Sequence, residues 1–428
     1  MHSSKQRSIL VSTTSSFFMW GIIATIGPLS LSFPFLSSVS LQTKTLVLAI
    51  GPIVIMLGNL IMGIMADKIG RKRVFIATMI SYGFGIIFLV FASNLILLLI
   101  GLILSEFGVG GEEPSGLSLI SEDFSFAERS KLLTFVANFN NIGSAFMSGI
   151  FLIEATLESR LSPVLNHIFI GMSGSGDLSF RFILLVSATI LVFLMIYSRI
   201  LLPESYRWLR VMGKENEAEQ EKSKLIIQGK EEYVKQPSYL FSVAILMVMG
   251  VSQYLTFGLM AYIIGPYNFP NNYPVLIFVA LLGASVAGFA AMFLINRGRR
   301  NFTLLSFLGG AISMVVILAF NTMLANMVVF LPLLFVNMIF SEFAWASRTT
   351  LEPELVPTRI RSTSIGIIRL APMAAYVISV YLTAMLGIFD FILLNLGLWV
   401  IGFIAALIWY IVGIETRNVN IDYGKEPS

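Results

Sequence analysis

Long apolar stretches recur from one end of this chain to the other, and nothing constrains its fold more. A helix needs about 20 apolar residues to cross the hydrocarbon core of a bilayer. Stretches of that kind cover residues 9–35, 45–66, 74–93, 95–120, 132–153 and 180–202, then 239–264, 273–295, 302–320, 327–347, 362–386 and 389–411. In lipid every backbone polar group must be satisfied inside its own element, so each stretch is predicted to be a helix. The pattern is six spans, an interruption and six more. Charged residues are 12% of the chain, whereas a soluble domain carries about 25%. The expectation is an all-α, multi-pass protein of the cell membrane. Lys5 and Arg7 precede a first run too long for the apolar core of a secretory signal, which is about 7–15 residues.

The basic residues orient the spans. Lys5, Arg7, Lys68, Arg71, Lys72, Arg73, Arg129, Lys131, Arg297, Arg299, Arg300, Arg348, Arg359, Arg361, Arg417 and Lys425 fall in the even-numbered hinges and the two tails, and Lys44, Arg160 and Arg181 fall on the other side. Positive charge stays in the cytoplasm, so both termini are expected there. Residues 203–237, where Glu215, Glu217, Glu219 and Glu221 alternate with Lys214, Lys222 and Lys224, are expected to be a solvated, partly helical cytoplasmic linker. Residues 155–179 form the longest outer loop. The predicted units are an N-terminal bundle, 1–202, the linker, 203–237, and a C-terminal bundle with a short tail, 238–428.

Several chemistries are disfavoured. The chain has no cysteine and only two histidines, His2 and His167, so no metal site or cofactor is expected. The net charge of +4 is spread over short hinges, which is no nucleic-acid surface. No nucleophile–base pair or cofactor loop suggests an enzyme.

The halves echo each other. Gly70-Arg71-Lys72 after span two is matched by Gly298-Arg299-Arg300 after span eight, and Glu122 and Arg129 after span four by Glu354 and Arg361 after span ten. Two six-helix bundles related by a parallel repeat, with a site between them near the midplane, is an established transporter plan.

With these residues noted, the chain resembles the major facilitator superfamily along its full length. Gly63-Ile64-Met65-Ala66-Asp67-Lys68-Ile69-Gly70-Arg71-Lys72 fits the signature G-x-x-x-D-R/K-x-G-R-R/K. Pro203-Glu204-Ser205-Tyr206-Arg207-Trp208-Leu209 is similar to the P-E-S-P-R-W-L after span six of sugar porters and organic-ion transporters, with Tyr206 for proline. Glu354-Leu355-Val356-Pro357-Thr358-Arg359-Ile360-Arg361 fits E-x-x-P-T-x-x-R, and Glu415-Thr416-Arg417 resembles that branch's terminal P-E-T-K/R without its proline. The resemblance implies a cytoplasmic gate of Asp67, Arg71, Glu122, Arg129, Glu204, Arg299, Glu354 and Arg361, with Arg71, Glu122, Arg129 and Glu204 pairing with or near Arg299, Glu354 and Arg361. As exposed pairs each would contribute about 0–1 kcal/mol, which suits a switch. The repeat is unequal, since Ile295 stands where the first half has Asp67.

Glu106, Glu112, Glu113, Glu342 and Arg369 lie inside predicted spans. A charge at mid-bilayer costs at least about 2.5–3.5 kcal/mol, so such residues face the interior and mark function by default. Glu106 is the deepest and is a candidate for proton or substrate binding. Glu112 and Glu113 are expected nearer the gate. Glu342 shares a helical face with Trp345, a carboxylate beside an indole suited to an organic solute or cation, or else pairs with Arg348 or Arg369. Arg369 with Pro372 resembles the arginine and proline of span eleven in the organic-ion branch, and could hold an anion. Asn141, Ser144 and Ser148 share a face of span five. Gln253 remains where sugar porters carry a glutamine pair followed by G-x-N, but Tyr254, Phe257 and Leu259 replace the other three. Span one lacks the aspartate of many proton-coupled relatives.

The expected function is alternating-access transport of a small organic solute by a monomer in the lipid bilayer. An organic ion or metabolite is favoured over a sugar, and proton symport over uniport. Candidate substrate-binding or proton-coupling residues are Glu106, Asn141, Gln253, Glu342, Trp345 and Arg369. A sugar uniporter or sugar–proton symporter is the alternative. A transporter-like nutrient sensor is the reading from another class, which a long signalling tail would favour.

Overall fold

The computed structural model describes residues 3–36, 38–125, 128–153, 202–226 and 237–417, with scattered positions between 181 and 196. The described residues form helices and no strands. Long helices α1 (Ser4–Ser30), α2 (Leu41–Ile69), α3 (Arg71–Val90), α4 (Leu95–Asp123) and α5 (Arg129–Leu152) are followed by short helices α6 (Tyr206–Val211) and α7 (Glu215–Lys222). Then come α8 (Tyr239–Asn268), α9 (Tyr273–Leu294), α10 (Arg299–Ala319), α11 (Met327–Glu354), α12 (Arg361–Thr383) and α13 (Ile388–Val412). Ten are long and apolar enough to cross a membrane; α5, rich in Asn, Ser and Gly, is the eleventh long helix. The described positions between Arg181 and Ile196 are helical, at the place of the sixth span. The 155–179 loop, the linker beyond Ile226 and the tail beyond Arg417 lie outside the described residues.

Local chemistry moves several ends from their expected places. Helix α1 starts at Ser4, earlier than its apolar run, because Ser3 and Gln6 form a capping box, with Gln6 N donating to Ser3 Oγ at 3.2 Å and Ser3 N to Gln6 Oε1 at 3.0 Å. Helices α4 and α11 run past their apolar stretches to Asp123 and Glu354, because each polar last turn is buried among other helices. Helix α8 runs beyond residue 264 through one π turn at Leu259–Ile263, a feature frequent at functional sites. The linker's charged stretch is helical, as expected, and Lys5 Nζ lies 2.6 Å from Glu221 Oε2, which ties α7 to α1.

Small residues set the packing. In the first set α3 and α2 pack on α4, and α1 on α5; in the second, α10 packs on α13 and α11, and α8 on α12 and α13. Two seams join the sets, α2 with α12 and α5 with α9. At the first seam a Cβ on Gly63 would fall 2.7 Å from the Ser362 carbonyl oxygen, and one on Gly366 would fall 2.6 Å from that of Asn59. These two backbones touch because neither glycine has a side chain, as in small-residue crossings of membrane helices. Large apolar side chains such as Phe84, Ile96, Leu240 and Val328 point outward, where lipid would surround them.

Candidate substrate cavity and end seal

Two polar layers lie between the helix sets. One closes the end that carries the basic hinges; the other lines a cavity deeper in the bundle.

The end seal has an approximate two-fold design. Glu122, at the end of α4, takes Arg71 Nη2 at 3.1 Å from its own set and Arg361 Nη1 at 2.7 Å from the other, and Ser205 Oγ donates to it. Glu354, at the end of α11, takes Arg299 Nε at 3.0 Å from its own set and Arg129 Nε at 2.8 Å from the other, and Thr416 Oγ1 donates to it. Each carboxylate thus holds one near arginine, one far arginine and one hydroxyl. These side chains are fully buried, which corrects the expectation of exposed pairs. Breaking a buried pair from one side costs about 3–5 kcal/mol, far more than breaking an exposed one.

Glu204 does not pair with a guanidinium of the second set. Its carboxylate accepts the backbone N–H groups of Arg71 at 2.9 Å and Lys72 at 3.3 Å, capping α3. Gly70, the residue before that helix, has φ +107° and offers no side chain as a cap; a Cβ there would fall 2.2 Å from the Glu204 carboxylate. Burial pushes the Glu204 carboxyl up from its ordinary value, against the three backbone N–H groups that lower it. Glu415 does the same for α10, accepting from Arg299 N at 3.1 Å and Arg300 N at 3.3 Å. A carboxylate at a helix N-terminus is favourable.

Asp67 works across the first seam. Its carboxylate lies 3.0 Å from Arg71 Nη2 and accepts Ser362 N at 3.3 Å and Thr363 N at 2.7 Å, in the first turn of α12. At the corresponding place in the second set Ile295 is buried in a small apolar cluster. Beside it Asn296 Oδ1 accepts from Ser130 Oγ, at the start of α5, at 2.7 Å. The seam without the acid thus has a neutral hydrogen bond instead.

The cavity lies between α1, α2, α4, α5, α8, α11 and α12. Of the sequence candidates, Glu106, Gln253, Trp345 and Arg369 line it. Glu106 Oε2 and Gln253 Oε1 are buried with no hydrogen-bond partner. Aromatic rings dominate the wall. Trp20 and Trp345 meet edge to face with centroids 6.1 Å apart, Tyr254 and Tyr376 at 5.4 Å, Phe257 and Tyr262 at 5.9 Å.

Asn141 and Glu342 are not among the lining residues. Asn141 Nδ2 donates to Glu342 Oε2 at 2.6 Å between α5 and α11. Glu342 therefore bonds to neither of the arginines considered for it, and Asn140, one position before Asn141, is the asparagine at the wall. Arg369 bridges two acids. Its Nη1 pairs with Glu113 of α4, and its Nη2 lies 2.7 Å from Glu352, which also pairs with Arg348 at 2.8 Å. Glu113 accordingly belongs to the cavity wall rather than to the end seal, while Glu112 accepts from Thr78 Oγ1 at 3.0 Å.

Sequence reasoning missed Glu352. The apolar run of span ten ends at Ser347, so residues beyond it look like hinge. Arg348 and Glu352 stand four apart, a spacing that places them on one helical face, and that signal was available once the helix was known to continue.

The Major Facilitator Superfamily model matches residues 9–371. The minor myo-inositol transporter IolF of Bacillus subtilis (strain 168) is 30% identical over 208 residues, 49% of this chain and 42% of that protein. The 4-hydroxybenzoate transporter PcaK of Acinetobacter baylyi is 32% identical over 167 residues, 39% of this chain and 32% of that protein. In both, the match spans less than half of the relative's own length. Among solved structures, the proton:xylose symporter XylE bound to 6-bromo-6-deoxy-D-glucose superposes with a TM-score of 0.73 at 16% identity, covering 98% of each chain. At that identity the likeness concerns the fold.

Proposed function

Because the chain belongs to the Major Facilitator Superfamily, we propose that this multi-pass membrane transporter is a secondary active carrier of a small organic solute, coupled to protons and working by alternating access. The moving bodies in this reading are residues 1–202 and 238–428, joined by the 203–237 linker, with both termini in the cytoplasm. The observation that carries it is the pairing of a sealed end with a central cavity. Glu122 and Glu354 each hold an arginine from the opposite set, so opening that end separates both pairs at once. The cavity beyond them holds one buried carboxyl without a partner, that of Glu106. In this reading Glu106 is the proton site, and Gln253, Trp345 and the aromatic wall receive the solute. Arg369 stays engaged with Glu113 and Glu352. Glu342 and Asn141 hold α11 to α5.

The wall favours a ring-bearing or ionic metabolite over a sugar. A sugar site needs many hydrogen-bonding groups against its hydroxyls, and here the side-chain amides at the wall are Asn140 and Gln253. A sugar or polyol remains the second reading, favoured by those two amides and by the myo-inositol relative.

Thermal shift on detergent-purified protein tests the substrate class. A ligand at about 100 times its Kd stabilises the native state by about 2.7 kcal/mol, so panels of sugars, organic acids and amines should separate clearly. Reconstituted uptake tests the coupling. The reading fails if no class stabilises the protein, or if Glu106→Gln leaves proton-driven uptake intact.

A further inference from the structure

The charge balance of the cavity indicates the sign of its occupant. Its charged cluster comprises Glu106, Glu113 and Glu352 against Arg348 and Arg369. With Glu106 ionised, three acids against two bases leave one negative charge in excess; with Glu106 protonated, the cluster is balanced. Arg369 is the arginine at the wall, and both Glu113 and Glu352 already hold it. An anion would have to displace one of these tethered carboxylates. Glu106 is in the opposite position. It is 3% exposed, its Oε2 has no hydrogen-bond partner, and α2 makes room for it at Gly51, where a Cβ would come within 3.0 Å of Oε1.

The rest of the wall suits positive charge. Cations are attracted to the faces of Trp, Tyr and Phe rings within about 6 Å of their centroids, and three ring pairs surround this space. Pro28 and Pro52 lie inside α1 and α2 and line the cavity. Proline has no N–H, so each frees the carbonyl four residues earlier from its helical donor. Those carbonyls belong to Ala24 and Leu48, which also line the cavity. Besides Glu106, the titratable or charged residues at the wall are Glu113 from α4, Arg369 and Tyr376 from α12, and Tyr254 and Tyr262 from α8; the wall residues of α1, α2, α5 and α11 carry no charge.

We infer that the cavity takes a small organic cation, and that Glu106 holds either that cation or a proton, so the two are exchanged across the membrane. This rests on the transport reading above and narrows it. A carboxyl that is protonated when empty and ion-paired when loaded cannot carry both ligands in one direction, so the coupling is antiport, unlike the symport expected from sequence. Exchange of one proton for one monovalent cation moves no net charge. The accumulation ceiling is therefore about tenfold per pH unit of gradient.

Two permanently charged probes with the same ring test this, because neither crosses lipid as a neutral species. Wild-type protein in phosphatidylethanolamine–phosphatidylglycerol vesicles, acid inside, should accumulate benzyltrimethylammonium and leave benzenesulfonate outside. Glu106→Gln should abolish the accumulation, and Gly51→Ala, which crowds the carboxylate, should weaken it. On wild-type protein, the benzyltrimethylammonium affinity read from tryptophan quenching should weaken about tenfold per pH unit as pH falls below the range in which Glu106 titrates. Uptake of benzenesulfonate instead, or of myo-inositol alone, would overturn the cation assignment and leave the transporter reading standing. Quenching that does not change with pH would overturn the exchange. No movement of any of the three would overturn both readings.

Discussion

Removing the Glu122 carboxylate should open the sealed end of the molecule. Glu122 is fully buried and holds Arg71 at 3.1 Å and Arg361 at 2.7 Å. In Glu122→Ala, Arg71 keeps Asp67 at 3.0 Å, whereas Arg361 loses its 2.7 Å carboxylate partner. Deleting one partner of a buried pair costs about 3–5 kcal/mol. That cost falls on the closed state, because the opened end gives Arg361 to water. At about 1.4 kcal/mol per decade, the closed-to-open ratio should drop by about two to three and a half decades. The chain has no cysteine, so Ser118→Cys is an unambiguous reporter. Ser118, on α4, is buried and bonds Ser362 of α12 in the other set at 2.9 Å. Labelling by a membrane-impermeant maleimide from the basic end should accelerate strongly in the Glu122→Ala background. Replacing both partners of a buried pair with apolar side chains of similar volume is far milder than removing one, so Glu122→Leu combined with Arg361→Met should label more slowly than Glu122→Ala. Labelling that stays at the wild-type rate in a folded Glu122→Ala protein would refute the reasoning and leave the network a purely structural one.

Other outcomes follow from single contacts. Burial raises the Glu204 carboxyl above its ordinary value, so the folded state binds more protons there than the unfolded state between those two values. Its contribution to stability should fall as pH rises through that window; the difference in Tm between wild type and Glu204→Gln, followed against pH, should show this slope, and a flat difference would contradict it. Gly366→Ala places a methyl 2.6 Å from the Asn59 carbonyl oxygen and should cost about 1–3 kcal/mol by overpacking, visible as a lower Tm; no loss would mean that the α2–α12 seam relaxes freely. Asn141→Ala leaves Glu342 without its 2.6 Å donor and should cost about 1–3 kcal/mol, while Asn141→Leu combined with Glu342→Met should recover most of it; equal losses in both would show that packing, not the hydrogen bond, matters there.

The fold was legible because lipid imposes a simple rule. Apolar length and basic hinges marked out the spans, and matched Gly-Arg and Glu…Arg motifs identified the repeat and the partners in the seal. Their energetics were not legible, because hinge charges look exposed until the opposite helix set covers them. Glu106 stood out as a lone acid within an apolar stretch. Glu342 looked equivalent, and only the packing of α5 against α11 distinguishes it, by supplying Asn141. Arg369 suggested an anion site since its counter-ions come from two other helices, Glu113 on α4 and Glu352 on α11. Spacing along one helix cannot show contacts made across a cavity.

The two helix caps bear on how the chain is made. Neither Gly70 nor Gly298 can cap the helix that follows it, and each cap arrives from far along the sequence, Glu204 for α3 and Glu415 for α10. The side-chain cap of the third helix therefore cannot form until residue 204 has been made and has left the ribosome. The first bundle can then fasten while the second is still unmade. The second stays unfastened until residues 415 and 416 have been made, so losing them would leave α10 without its cap and Glu354 without the Thr416 hydroxyl.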